Sequence, residues 1–236
     1  MKNQYFGDIN DYRKYGLIRI LANDGIIRTG VCWMLTPDDT RADGKFTEYL
    51  AEPKKYREFD PGLYDFLGQC LKANLRDIHE ISGSDKFPNA IFYNPILEDD
   101  VARREQYFSS MFKLFQDADL IFFDPDNGLE IKSRSLGQKD SSKYLYWFEV
   151  AECYEAGHSI LIYQHFIREN RDDFISKKLR KIHIETGSKN IISLQTPHVV
   201  FFLAPQDKHN EYFLKRTEMV SKVWNGQIKV SFHSFS

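Results

Sequence analysis

The chain has 236 residues, of which 42% are hydrophobic and 28% charged, with only 13 glycines and 8 prolines. This composition excludes a disordered or fibrous chain, and the length fits a single α/β domain spanning residues 1–236. The formal net charge of −2 at pH 7 excludes a global positive field, so any nucleic-acid contact needs a local basic patch.

The cysteine spacing and the hydropathy pattern predict the cellular compartment. Cys32, Cys70 and Cys153 lie far apart and form no CxxC pair, which argues against a structural zinc. No apolar run approaches the roughly 18 residues that span a bilayer, and the chain opens without an apolar signal segment. We therefore expect a cytoplasmic protein with no membrane partner.

The first half of the chain begins with a helical pattern and then alternates strand and helix. A capping Asp8 or Asn10 precedes apolar residues at helical spacing, which predicts a helix that ends near residues 23–25. The apolar run 31–36 predicts a strand buried on both faces, and the polar segment 37–61 predicts a long irregular loop. The next predicted elements are a helix at 63–71, a strand at 90–94 and a helix at 101–115.

The second half continues the alternation and ends in a hairpin. Its predicted elements are a strand at 119–124, a charged loop at 125–140, a helix at 144–156, a strand at 157–164, a basic helix at 167–182, strands at 191–195 and 199–203, a helix to 223 and a strand at 227–232. This order predicts a three-layer, Rossmann-like, mainly parallel sheet with helices on both faces and an antiparallel C-terminal hairpin. The basic helix is the expected local positive face.

Polar residues follow three of the predicted buried strands, where ligands bind in open parallel sheets. Asp124 or Asp126 is the candidate general base, and His165 is a candidate acid or oxyanion donor. The predicted substrate-binding residues beside them are Pro37, Asp38, Asn127, Gly128, Glu130 and Gln164. In the alternative interpretation the aspartates only cap a turn and the histidine is structural.

The opening helix is a second candidate for ligand contact. Asn10, Asp11, Tyr12 and Lys14 combine hydrogen-bonding groups with an aromatic face, a mixture suited to stacking on a base and contacting phosphate. The alternative is a helix that docks on the core, which explains the tyrosine better than it explains the polar residues.

Two further spacings bear on cofactors. Glu130 and Lys132 have the Glu-x-Lys spacing of a metal-dependent nuclease, but the upstream acid is too close for the usual two-strand arrangement. No glycine-rich loop follows the first strand, where a dinucleotide or S-adenosylmethionine site would need one. We therefore expect neither a metal nor a cofactor.

The strand end Phe122-Phe123-Asp124-Pro125 resembles the first motif of the uracil-DNA glycosylase superfamily. This resemblance implies that Asp124 or Asp126 positions the attacking water and that His165 stabilises the departing base. The His-Pro-Ser pattern of that superfamily is absent, because Gln164-His165-Phe166 stands there. The N-terminal phrase at 2–16, together with 124–128, is also similar to a group of bacterial proteins in which we include antiviral glycosylases that remove glucosylated hydroxymethylcytosine from phage DNA.

Asp124-Pro125 also resembles the fourth motif of Rossmann-like nucleobase methyltransferases, in which Asp-Pro-Pro and an aromatic residue follow a strand. The hairpin predicted at 191–203 belongs to that fold as well. Here Asp126-Asn127 replaces the second proline and the aromatic residue.

The leading hypothesis is a metal-independent DNA glycosylase that hydrolyses the N-glycosidic bond of a modified base flipped from DNA, leaving abasic sites in antiviral defence. The alternatives are an S-adenosylmethionine-dependent nucleobase methyltransferase and a non-catalytic nucleic-acid-binding module.

Overall fold

The computed structural model describes residues 1–39 and 46–235. Its strands are β1 (Thr29–Cys32), β2 (Ile91–Tyr93), β3 (Leu120–Phe123), β4 (Gly128–Leu129), β5 (Tyr144–Leu145), β6 (Ser159–His165), β7 (Asn190–Gln195), β8 (Val199–Ala204) and β9 (Lys229–Ser234). Its α-helices are α1 (Ile9–Ala22), α2 (Pro53–Tyr56), α3 (Pro61–Lys72), α4 (Ile78–Ser82), α5 (Val101–Leu114), α6 (Trp147–Glu155), α7 (Arg171–Thr186) and α8 (Asn210–Val223). Within the two described ranges, no helix has the length and apolarity needed to cross a membrane.

Seven strands form one mixed sheet in the order β2-β1-β3-β6-β8-β7-β9. The first four are mutually parallel, whereas β8 runs against both β6 and β7, and β9 runs against β7. Five of the seven strands therefore point in one direction, which confirms an α/β fold with a mostly parallel sheet. The predicted C-terminal hairpin is formed by β7 and β8.

Helices cover both faces of this sheet because its strands are apolar on both sides. Phe122 points into one buried cluster together with Tyr12 of α1, and Phe123 points into a second cluster with Met111 of α5. Successive side chains of a strand alternate between faces, so a continuous apolar run such as β3 needs a cover on each side. The result is three layers, with the sheet between two layers of helices.

Helix α1 is buried along almost its whole length, between the sheet and helices α3 and α8. Its N-terminus is capped by Asp8, whose carboxylate accepts hydrogen bonds from the backbone N–H groups of Asn10 and Asp11. Gly16 allows the close approach of α8, since a Cβ at this position would lie 2.0 Å from the indole ring of Trp224. This packing fixes the polar N-terminal turn of α1 beside the sheet.

The structure corrects several predicted boundaries. The strand predicted at 31–36 ends at Cys32, because Met34 has a left-handed φ of 46° and Leu35 forms only an isolated bridge with Ile96. The basic helix predicted from 167 begins at Arg171, where Asn170 caps it by accepting from two backbone N–H groups. The helix predicted at 144–156 begins at Trp147, because β5 occupies 144–145.

Two predicted loops contain regular structure. The segment 37–61 includes α2 and two 3₁₀ turns at Glu48–Ala51 and Arg57–Phe59, while its residues 40–45 lie outside the described ranges. The loop 125–140 includes β4, which pairs with β5 in a small separate sheet. Short helix α4 was not predicted from the pattern.

Candidate functional site

A cavity of about 1270 Å³ opens at the carboxyl ends of β3 and β6. Its floor is formed by the first turns of α1 and the loop after β3, and α7 with the start of α6 forms its opposite wall. Of the residues predicted from sequence, those that line it are Asn10, Asp11, Lys14, Asp124, Asp126, Asn127, Glu130, Gln164 and His165. The structure thus brings together residues from three separate segments of the chain.

The centre of the floor is a buried lysine held between two carboxylates. Lys14 Nζ lies 2.7 Å from Asp11 Oδ1 and 2.7 Å from Asp124 Oδ2, and all three side chains are at most 3% exposed. Burial opposes the charge of Lys14, but the two carboxylates outweigh it and raise the pKa of this lysine. Asp11 also accepts from Gly7 N–H and from the Tyr15 hydroxyl, so its orientation is fixed. The three groups therefore form a rigid, charged unit.

Asp126 lies beside this unit with different partners. Its Oδ2 is 3.6 Å from Lys2 Nζ and accepts a hydrogen bond from the Thr36 hydroxyl at 3.4 Å. These contacts are longer than those of Asp124, and the Asp126 side chain is slightly more exposed, at 7% against 3%. Asp126 is therefore the carboxylate of the pair that has more room to accept a hydrogen bond from water or a ligand. Among the described residues, no three His, Cys, Asp or Glu side chains cluster as a metal site.

Gln164 and Gly128 fix the loop that follows β3. Gln164 Oε1 accepts from Leu129 N–H and its Nε2 donates to the His165 carbonyl, both at 2.8 Å. Gly128 has a φ of +94°, and a Cβ there would lie 2.3 Å from the Gln164 side chain. The predicted ligand-reading amide of Gln164 is thus engaged with the backbone, and we assign it to positioning the loop.

His165 stands at the exposed end of β6, with its ring edge against Tyr163 at 5.0 Å between centroids. His165 as a whole is exposed at the strand end, but partial desolvation in the cavity lowers the pKa of its ring, and the negative charges of Asp124 and Asp126 oppose this shift only in part. The imidazole is therefore neutral at pH 7. A neutral imidazole can donate one hydrogen bond to a ligand and accept another.

Lysines of α7 form a basic rim, which we define as Lys177, Lys178 and Lys181. Lys178 Nζ lies 5.4 Å from the centre of the Trp147 ring, and burial lowers its pKa to about 8 against the opposing effect of nearby glutamates. Lys181 also lies over Trp147, at 5.7 Å. The local positive face predicted from the sequence thus borders the same cavity as the acidic floor.

Other predicted residues lie elsewhere or have structural partners. Tyr12 is buried in the core, where it stacks on Tyr49 and its hydroxyl bonds to the backbone at Asp60 and Tyr56, so it does not line the cavity. Pro37, Asp38 and Gly128 are also absent from the described lining, and Asp38 instead accepts from Gln4 N–H. Glu130 lines the cavity but accepts from Trp147 N–H at the start of α6.

Several lining residues were missed by the sequence analysis. They include Lys2, Asp8, Phe46, Trp147 and Tyr163, besides the basic rim whose helix had been noted. Asp8 was identified only as a cap, yet burial and repulsion from Asp11 raise its pKa to about 7. No local pattern distinguishes Phe46 or Trp147 from other aromatics, because their exposure to the cavity depends on the fold.

Comparison with known proteins adds a structural likeness to this description. No protein-family model matches the chain, and no curated protein is similar to it. The crystal structure of protein LPL1258 from Legionella pneumophila strain Philadelphia 1, of the family DUF519, superimposes with a TM-score of 0.48 at 12% identity. That match covers 98% of this chain and 97% of the other.

Proposed function

We propose that this protein is a DNA glycosylase that hydrolyses the N-glycosidic bond of a modified base. The observation that supports it is one cavity that combines carboxylates at the end of β3, a neutral imidazole at the end of β6 and a basic rim on α7. Each part matches one requirement of the reaction: charge stabilisation at the sugar, hydrogen bonding to the departing base and attraction of phosphates.

The carboxylates would act on the sugar. Glycosidic bonds break through a transition state with positive charge on the sugar ring, which a nearby carboxylate stabilises. Asp126 is the more accessible carboxylate and would orient the attacking water. Asp124, held by Lys14 and fully buried, would contribute negative charge at a fixed position. This division assigns different roles to two acids that are only two residues apart.

His165 would act on the departing base. Because its ring is neutral at pH 7, it can donate a hydrogen bond to a base atom that becomes negative as the bond breaks. The exposed ring of Phe46 and the ring of Trp147 line the same cavity and offer faces on which a flipped base can stack.

The basic rim would hold the DNA backbone. The whole chain has a net charge of −2, so the lysines of α7 supply a local field rather than a global one. Contacts between lysine and phosphate release counterions, and binding should therefore weaken steeply with added salt. A fall in affinity between low and physiological salt is the expected result in a DNA-binding titration.

The test is base release from plain, uracil-containing and phage-modified DNA, the last containing glucosylated hydroxymethylcytosine. We expect free base and an alkali-labile site in EDTA, and a loss of about 10²-fold or more in Asp126→Asn. The matched control is Asp173→Asn, which changes an exposed acid of α7 outside the cavity and should keep full activity. Intact DNA on every substrate would overturn the proposal, and strand cleavage only with Mg²⁺ would indicate a nuclease.

Methyl transfer is the second candidate, and the strand order favours it. We interpret the sheet as Rossmann-like, with β8 inserted antiparallel between β6 and β7 and with Asp124-Pro125 at the end of β3. However, Met1 N donates to both the Met34 and Asp124 carbonyls, so this residue bridges the ends of β1 and β3 where a methyl donor would approach. Calorimetric binding of S-adenosylmethionine would favour this candidate over hydrolysis.

A further inference from the structure

One buried side-chain oxygen in the floor of the cavity has no hydrogen-bond partner among the residues that the structure describes. Asn10 is 8% exposed, lines the cavity, and its Oδ1 is buried without a hydrogen bond in the described part of the chain. A buried acceptor that is left unpaired is destabilising, so such groups are rare in native proteins. Because Asn10 lines the cavity, a ligand bound there is the available partner for this unused acceptor.

The groups around Asn10 are mostly acceptors. The carboxylates of Asp8, Asp11, Asp124 and Asp126 line the same cavity. The cationic donors of the floor are already engaged. Lys14 bonds to Asp11 and Asp124, Lys2 pairs with Asp39 and Asp126, and the Met1 amine donates to two backbone carbonyls. The floor therefore has a surplus of lone pairs over N–H groups, and a ligand that fits it must bring hydrogen-bond donors.

From this surplus we infer that the floor recognises a nucleobase with an exocyclic amino group, through the Oδ1 of Asn10. This inference rests on the proposed function and specifies its substrate class. An amino group presents two N–H donors on one atom and can satisfy Asn10 and a neighbouring acceptor together. Uracil and hypoxanthine instead present carbonyl oxygens next to a single N–H, and those oxygens would face the carboxylates.

The experiment compares nucleosides that differ at this group. Deoxycytidine is paired with deoxyuridine, and deoxyadenosine with deoxyinosine, in calorimetric or NMR titrations of the full chain. We expect the amino member of at least one pair to bind about tenfold more tightly or better, since a site built to accept an N–H discriminates against an analogue that lacks it. Equal binding within both pairs, or no binding of any nucleoside, would overturn the inference.

Asn10→Leu removes the acceptor at nearly constant volume. The variant should discriminate less than about threefold within a pair that the natural chain separates by tenfold. Because the amide is unpaired in the free protein, the substitution should also raise the melting temperature by about 2–4 °C. Discrimination that persists in this variant would contradict the role of Asn10.

Asn94→Leu is the matched control. Asn94 Oδ1 is likewise buried without a partner among the described residues, but Asn94 is not one of the residues that line the cavity. This variant should show a similar gain in melting temperature and unchanged nucleoside discrimination. The titrations need no catalysis, so they test the recognition site separately from the glycosylase activity. Discrimination between nucleosides without base release from any DNA would contradict the glycosylase proposal and support the recognition site. Base release without discrimination would support the glycosylase proposal and contradict the recognition site.

Discussion

Replacement of Lys14 by methionine tests whether the floor of the cavity is an electrostatic unit. The substitution removes one ammonium group that lies 2.7 Å from both Asp11 and Asp124, and it keeps most of the side-chain volume. The two carboxylates would then be buried with no cation between them. We expect the fold to be retained with a lower free energy of unfolding.

The size of this loss follows from the burial of the partners. Removing one member of a buried ion pair costs about 3–5 kcal/mol, because an uncompensated charge remains in a medium of low dielectric constant. Lys14 is paired with two carboxylates, each at most 3% exposed. We therefore expect the loss in free energy of unfolding at pH 8 to lie in the upper part of that range. Protonation of a carboxyl relieves the penalty, and the loss should therefore be smaller at pH 5.

The direction of the pH dependence can be derived from Asp11. Burial already raises the pKa of Asp11 while Lys14 opposes this shift, so removing the lysine raises it further. Above the ordinary carboxyl pKa, the folded state of the Lys14→Met variant therefore binds more protons than its unfolded state. Its free energy of unfolding then falls as the pH rises. The deficit relative to the natural chain should grow from pH 5 to pH 8.

Urea denaturation at pH 5 and pH 8 measures both quantities. Lys177→Met, which removes an exposed lysine of α7, is the control and should change stability by less than about 1 kcal/mol at either pH. The double variant Lys14→Met/Asp124→Asn should recover part of the loss, because it neutralises one of the stranded carboxylates. A deficit below about 1 kcal/mol at pH 8, or one that does not depend on pH, would refute this reasoning.

Three further predictions concern the rest of the cavity. Gly128→Ala should lower the free energy of unfolding by about 2–3 kcal/mol in urea denaturation. Gly128 has a φ of +94°, and the new Cβ would clash with the Gln164 side chain. An unchanged denaturation midpoint would argue against this clash. The pKa of Asp8 is raised to about 7, so the natural chain should lose stability as the pH rises from about 4 to 7. Asp8→Asn keeps the helix cap but does not titrate, so thermal melts of this variant should not show that loss. Lys178 has a pKa of about 8, so DNA affinity measured by fluorescence anisotropy at constant ionic strength should drop between pH 7 and pH 9, and Lys178→Arg should remove the drop.

Local patterns in the sequence were sufficient for most of the elements. The capping Asp8 with apolar spacing after it predicted α1, and the run 119–124 predicted β3 within one residue at each end. These predictions succeed because capping, periodicity and strand propensity act between residues that are near in sequence. The end of β1 was missed because it depends on the left-handed backbone of Met34, for which the side-chain pattern gives no signal.

The sequence by itself determined that acids, an amide and an imidazole follow buried strands, and parallel strands place such residues at one edge of a sheet. Only the tertiary structure decided their partners. Lys14 meets Asp124 across 110 residues of chain, and Tyr12, two positions before Lys14, points instead into the core. The basic rim borders the acidic floor because α7 packs against α6 and the β7–β8 hairpin, on the side where the cavity opens. Contacts between distant segments depend on how whole faces pack, and that information is not present in any single stretch of residues.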